Sequence, residues 1–122
     1  MTHGAIEWIE FHCEEGGSEA LGRFYEEVFG WKIQTDPNMP DYAMFSDTSG
    51  NVGGGFTSSH PKGGSPKVFI TVDSADASLE LVVKAGGTSK EPRALISEEI
   101  GYWAMFVDPA GNEIGLFEKT QA

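Results

Sequence analysis

A tryptophan and a carboxylate lie two residues apart in the stretch AIEWIEFHC, residues 5–13. The period-two pattern there predicts a β-strand with Trp8 and Glu10 on one face and Glu7 on the other. An indole ring buries apolar area and attracts cations, and a carboxylate orients a ligand or takes a proton from it. If this face lines a binding site, the pair favours an apolar or cationic small molecule. Glu10 is then the candidate catalytic base.

Further candidate ligand contacts lie at Lys67 and Phe69, at the start of a second period-two stretch, KVFITVD. A lysine beside an apolar site would pair with Glu10 or hold an anionic group of a substrate, although an exposed lysine at the start of a strand is the commoner arrangement. Aromatic and thioether side chains of two predicted hairpins are the remaining candidates: Tyr42, Tyr102, Trp103, Met44 and Met105. Ordinary core packing is the alternative for all of them, and it is the better interpretation of the methionines.

An internal repeat supplies the elements that must position these side chains. The segment AMFSDTSGNVGGGF, residues 43–56, aligns without a gap on AMFVDPAGNEIGLF, residues 104–117, and eight of the fourteen positions are identical. The offset of 61 residues is half the chain, which indicates a duplication. Each copy runs from a strand into an Asp, Gly and Asn turn, typical of a hairpin. This makes Asp108 an architectural residue in preference to a catalytic one.

Each half predicts the order β, α, β, β, β. The strand of residues 5–13 precedes a helical pattern over residues 18–30, with Ser18 as the predicted N-cap and Gly30 as the stop. The strand of residues 67–73 precedes a second helical pattern over residues 74–87. We predict one domain, residues 1–122, made of module 4–57, linker 58–66 and module 67–119. Its fold class is α+β, with two tandem βαβββ modules forming a curved, cup-like mixed sheet and helices outside.

Four segments together carry a resemblance to a known family: IEWIEF, FYEEVFGW at residues 24–31, TVDSADASLELVVKAGG, and DPAGNEIGLF at residues 108–117. The chain resembles the vicinal oxygen chelate superfamily, which includes glyoxalases, bleomycin-resistance proteins and extradiol dioxygenases. The resemblance spans nearly the whole chain. It implies paired βαβββ modules, a homodimer, and a cup that holds a small molecule and, in many members, a divalent metal ion.

The metal-ligand positions that the resemblance implies carry unsuitable residues in this chain. They fall at Trp8 in the first strand, at Lys67 or Phe69 in the second module, and at Gly54 and Gly115 in the last strands. Glycine has no side-chain donor, an indole N–H only donates, and an ammonium repels a cation. No cofactor is therefore expected. Should a divalent metal bind nonetheless, Glu10 and Glu113 are the candidate ligands, and two carboxylates make a weak site. The histidines His3, His12 and His60 are interpreted as surface or structural residues.

Composition excludes several classes of partner. The formal net charge is −11, from 19 acidic and 8 basic residues, which disfavours nucleic acid and anionic membranes. Residues 1–8 show neither a signal nor a transit pattern, so a cytoplasmic location is expected. The single cysteine, Cys13, permits no internal disulfide and is given no catalytic role.

Four functions follow as hypotheses. The first is a bleomycin-resistance-like protein that binds a small organic molecule without a metal. The second is a divalent-metal-dependent lyase, isomerase or dioxygenase of the glyoxalase type that uses Glu10 and Glu113. The third is a metal-free enzyme with Glu10 as general base toward a carbon acid. The fourth is a structural or adaptor protein, so whether the chain is an enzyme stays open at this point.

Overall fold

The computed structural model describes residues 3–59 and 65–120, which form eight strands and two helices. Their bounds are β1 (Ile6–His12), α1 (Ser18–Phe29), β2 (Lys32–Thr35), β3 (Tyr42–Ser46), β4 (Gly53–Thr57), β5 (Lys67–Val72), α2 (Ala75–Lys84), β6 (Thr88–Ser97), β7 (Gly101–Val107) and β8 (Glu113–Lys119). The order βαβββ occurs twice, which confirms the predicted α+β fold class. Of the predicted linker 58–66, residues 60–64 with His60 lie outside the described residues.

The chain divides into two compact units, residues 7–67 and the residues on either side of them. Their grouping into one domain stays a prediction. In the first unit the strand order is β2, β3, β4, β1, with β1 parallel to β4 and the other pairs antiparallel. Helix α1 covers one face of these strands over a core of Ala43, Phe45 and Phe56. Aromatic rings dominate this core, and Trp31 stacks on Phe45 at 4.6 Å between ring centroids.

The second unit repeats this arrangement with strand order β5, β8, β7, β6 and with β5 parallel to β8. Helix α2 packs on a core of Val72, Ala75, Leu79, Ala104 and Leu116. Ala75 and Leu79 are contributed by α2 itself, whereas Val72, Ala104 and Leu116 are strand residues that alternate with residues of the opposite face, as the period-two pattern predicts. In each unit the helix therefore covers one face of the strands, and the alternate strand residues form the opposite face.

The two hairpins of the repeat differ in length by one residue. In the first, the N–H of Asp47 donates to the carbonyl of Val52, and in the second the N–H of Asp108 donates to the carbonyl of Asn112. Four residues thus separate the closing pair of the first turn, and three separate that of the second. A one-residue change of register turns every following side chain to the other face of the strand. Phe56 accordingly lies in the core beneath α1, whereas Phe117, its counterpart in the repeat, pairs with Thr71 and Trp103.

The start of α1 differs from the sequence prediction. Gly17 occupies the N-cap position without a side-chain hydrogen bond, and Ser18 is the first helical residue. The carboxylate of Asp41 takes over the capping role from the loop before β3, because it accepts hydrogen bonds from the N–H groups of Gly16 and Ser18 at 2.9 and 3.2 Å. Ser58 donates a third bond at 2.7 Å. These bonds lower the pKa of Asp41 to about 2, with the Gly16 N–H as the largest cause.

Candidate functional site

Trp8 and Glu10 project from β1 on the face that points away from α1. Their neighbours Ile9 and Phe11 pack against the α1 core, so strand alternation directs Trp8 and Glu10 to the other side. Trp8 lies opposite Gly53 in β4, and Glu10 lies opposite Gly55. The structure therefore places both residues on one face, as the sequence predicted.

Tyr42 reaches the same face from β3 and joins these two residues. The indole N–H of Trp8 donates to Tyr42 Oη at 3.3 Å, and the hydroxyl of Tyr42 donates to Glu10 Oε2 at 2.7 Å. Burial, and then the charge of Glu10, raise the pKa of Tyr42 above its usual value. Tyr42 is therefore a neutral donor at physiological pH, and its hydrogen bond fixes the carboxylate of Glu10. We call the three side chains the platform.

Two glycines of β4 make room for the platform. An ideal Cβ at Gly55 would overlap Cζ and Oη of Tyr42, so the tip of that ring lies where a side chain of β4 would stand. An ideal Cβ at Gly53 would lie 3.4 Å from Cζ3 of Trp8. Side chains from β1 and β3 thus meet above β4 because β4 contributes only backbone there. Sequence reasoning did not identify this role for Gly53 and Gly55.

On the second unit, Phe69 and Trp103 lie on the face away from α2. Phe69 lies opposite Gly115, and an ideal Cβ at Gly115 would overlap its ring. Trp103 lies opposite Phe117. By strand pairing, Trp103 corresponds to Tyr42 of the first unit, and Phe69 stands in the place of Glu10, because Phe69 lies in line with Gly115 and Met105 as Glu10 does with Gly55 and Met44. The ligand-binding role of Phe69 and Trp103 stays a prediction.

Tyr102 lies on the opposite face of β7 from Trp103, which corrects the expectation that both line one surface. Adjacent strand residues point to opposite sides, and Tyr102 pairs with Glu118. The Arg93 guanidinium lies 3.4 Å from the Tyr102 ring centroid and donates to both carboxylate oxygens of Glu118, at 3.1 and 2.9 Å. Glu118 also accepts a bond from the N–H of Ala75 at the start of α2. Tyr102 is therefore part of an ion-pair network beside the helix.

The remaining predicted residues occupy varied positions. Lys67 is the first residue of β5 and is half-buried. Glu113 begins β8 and forms an ion pair with Lys90. Met44 lies opposite Gly55 on the platform face, and Met105 lies opposite Gly115. His3 accepts a hydrogen bond at Nδ1 from the N–H of Asp73 at 3.0 Å, a structural role.

The residues present do not fit the divalent metal ion that the family resemblance implies. The prediction that Gly54 occupies the ligand position of the last strand in the first module was wrong, because Gly54 points to the α1 side. It lies opposite Ile9, and an ideal Cβ there would overlap the Phe45 ring. The positions beside Trp8 and Glu10 are instead Gly53 and Gly55, which carry no donor. Within residues 3–59 and 65–120, no three His, Cys, Asp or Glu side chains are grouped closely enough to hold a metal ion.

None of the helices in the described parts of the chain combines the length and the apolar composition that a membrane span requires.

Comparison with known proteins gives the family. Residues 10–117 match the model of the glyoxalase-like domain. A glyoxylase-like domain-containing protein of Didymella fabae is 30% identical over 120 residues, which cover 92% of this chain and 91% of that protein.

Two solved structures show the same fold. The Mn(II)-bound glyoxalase of Novosphingobium aromaticivorans matches 97% of this chain and 40% of its own, with 19% identity and a TM-score of 0.63. A methylmalonyl-CoA epimerase variant of Streptomyces coelicolor in complex with 2-nitronate-propionyl-CoA matches 99% of this chain and 100% of its own, with 13% identity and a TM-score of 0.64. The chain is therefore a member of the glyoxalase-like domain family, within the vicinal oxygen chelate superfamily.

Proposed function

We propose that this protein binds a small organic molecule on the platform without a divalent metal ion. The observation that carries the proposal is the hydrogen-bonded chain from Trp8 through Tyr42 to Glu10, which lies above two glycines of β4. The platform offers the two half-buried aromatic rings of Trp8 and Tyr42 beside the oriented carboxylate of Glu10. Such a combination of apolar surface and few placed polar groups is typical of small-molecule sites.

The metal-dependent alternative has weaker support in the contacts of its two candidate ligands. Glu10 accepts a hydrogen bond from the Tyr42 hydroxyl, and Glu113 forms an ion pair with Lys90. A metal ion would have to compete with both interactions, and it would gain no further donor from Gly53 or Gly55. Binding without a metal requires no such rearrangement.

A second candidate function is metal-free proton abstraction by Glu10. The 2.7 Å bond from Tyr42 favours it, because a general base must be held in one orientation toward the proton that it takes. Solvent exchange of a carbon-bound deuterium in a bound ligand, followed by NMR, tests this function. Exchange that is equally fast in Glu10→Gln would exclude Glu10 as the base.

Assembly and location stay proposals as well. The family resemblance implies a homodimer, which sedimentation equilibrium of the purified protein tests directly. A cytoplasmic location is likewise a proposal, and the charge of −11 argues against nucleic acid as a partner.

Ligand screening by NMR tests the binding proposal. The protein has three tryptophans, so ¹⁵N-labelled protein gives three indole N–H signals that single Trp→Phe variants assign to Trp8, Trp31 and Trp103. A panel of aromatic and cationic antibiotics and metabolites is added in the presence of a chelator. We expect at least one compound to shift the Trp8 signal, and we expect Tyr42→Phe to weaken the binding of that compound. Shifts that appear only after Mn²⁺ or Zn²⁺ is added would overturn the proposal.

A further inference from the structure

The rings of the platform meet at their edges. The N–H of an indole lies in the plane of its ring, and the oxygen of a phenol lies in the plane of its own. The hydrogen bond from Trp8 Nε1 to Tyr42 Oη therefore joins the two rings edge to edge. Their polar edge atoms contact each other, so a ligand that contacts both rings would do so through the ring faces.

The width of this surface follows from the sheet. Trp8 comes from β1 and Tyr42 from β3, with β4 between them. Two strand spacings amount to about 10 Å, which is wider than one six-membered ring. Because Gly53 and Gly55 have no side chains, nothing from β4 rises between the two rings. The two rings thus lie side by side above β4, joined at their edges by the hydrogen bond from Trp8 to Tyr42.

We infer that the preferred ligand is a planar aromatic molecule of two or three fused rings that stacks on Trp8 and Tyr42. This inference rests on the proposed function and narrows it to a ligand class. Stacking requires a flat partner, since a puckered ring brings only some of its atoms to the contact distance. A single aromatic ring would cover one platform ring only, whereas a fused system spans both.

Three probes separate planarity and size from hydrophobicity: 2-naphthol, decahydro-2-naphthol with the same carbon skeleton but puckered rings, and phenol with one ring. Dissociation constants are measured by NMR titration of the Trp8 indole signal in the presence of a chelator. We expect 2-naphthol to bind at least tenfold more tightly than either of the others. Equal affinities for 2-naphthol and decahydro-2-naphthol would overturn the inference and leave the proposed function standing.

Leucine variants locate the preference. Trp8→Leu and Tyr42→Leu keep an apolar side chain but remove a ring, so each is expected to reduce the preference for 2-naphthol to less than threefold, measured by calorimetry. The matched control is Phe24→Leu, because Phe24 is an exposed aromatic residue of α1 outside the platform. An undiminished preference in both platform variants would refute stacking there. A panel in which only non-planar compounds bind also refutes the inference, and a panel in which nothing binds refutes the proposed function with it.

Discussion

The ring tip of Tyr42 lies directly over Gly55, in the space that a β-carbon of Gly55 would fill. This contact joins β3 to β4 on the platform face and places the Tyr42 hydroxyl 2.7 Å from Glu10. Gly55 is buried, although it has no side chain of its own. The platform therefore depends on a residue that contributes no functional group.

Gly55→Ala is expected to displace the Tyr42 ring and destabilise the protein by about 2 kcal/mol, as overpacking does. The same change should abolish ligand shifts of the Trp8 signal. Gly53→Ala is the matched control, since its β-carbon would lie 3.3 Å from the Phe45 carbonyl oxygen and 3.4 Å from Trp8, and it should cost less than about 1 kcal/mol. Urea unfolding measures both. Equal costs for Gly55→Ala in the wild type and in Tyr42→Ala would show that Tyr42 is not the cause.

Tyr42→Phe keeps the ring but removes the hydroxyl between Trp8 and Glu10. We expect a loss of about 1.5 kcal/mol in the free energy of unfolding, because a half-buried carboxylate loses a donor and the indole loses an acceptor. Tyr25→Phe controls for the substitution, since the Tyr25 ring stacks on Trp31 in the α1 core. It should change stability by less than about 0.5 kcal/mol. A smaller loss for Tyr42→Phe than for Tyr25→Phe would contradict this account of the platform.

The length of the first hairpin decides which side of β4 faces α1. Deleting Ser49 gives this turn the length of the second one, and it should drive Phe56, which is 0% exposed, out of the core. We expect a cost above about 3 kcal/mol, comparable to truncating a core phenylalanine. Ser49→Ala keeps the length and loses only local bonds to Asp47 and Asn51, so it should cost about 1 kcal/mol. A deletion variant as stable as Ser49→Ala would disprove the assignment of faces.

Patterns within short segments of the sequence predicted the features that depend on neighbouring residues, namely strand faces and the order of elements. The alternation in residues 5–13 placed Trp8 and Glu10 on one face, and the repeat predicted two βαβββ modules. The face of Gly54 was not predictable from the ungapped repeat, because it depends on where the turn closes its hydrogen bonds. The different faces of Tyr102 and Trp103, by contrast, follow from strand alternation alone.

Long-range contacts were beyond sequence reasoning. Asp41 caps a helix that begins 23 residues earlier, and its left-handed backbone, with φ of 57°, gives no pattern in the sequence. Tyr42 reaches Glu10 over 32 residues, and the two meet only because β1 and β3 both pair with β4. The sequence thus named Trp8, Glu10 and Tyr42 without the contacts that join them, and their role in ligand binding stays a prediction.

The pKa of Asp41 predicts a pH dependence of stability. Its pKa is lowered to about 2 in the folded protein, against an ordinary value of 3.8, so its stabilising contribution is complete at neutral pH and is lost as pH falls through about 2. The difference in unfolding free energy between wild type and Asp41→Asn should be constant above about pH 5 and shrink between about pH 4 and 2. Asparagine tolerates the positive φ, so the backbone is retained.

Ser58→Ala provides the control for this pH dependence. It removes one donor to Asp41 and should move the loss of stability to higher pH. Chemical denaturation at a series of pH values measures the curves. A difference between wild type and Asp41→Asn that stays constant down to pH 2 would contradict the capping role.

Anomalous diffraction from crystals grown with Mn²⁺ tests the central claim most directly, because it locates the metal and shows the hydrogen bonds of the platform together. We predict no Mn²⁺ within coordination distance of Glu10, with the Tyr42 hydroxyl still bonded to that carboxylate. A Mn²⁺ peak bound by Glu10, with the bond to Tyr42 broken, would contradict the account.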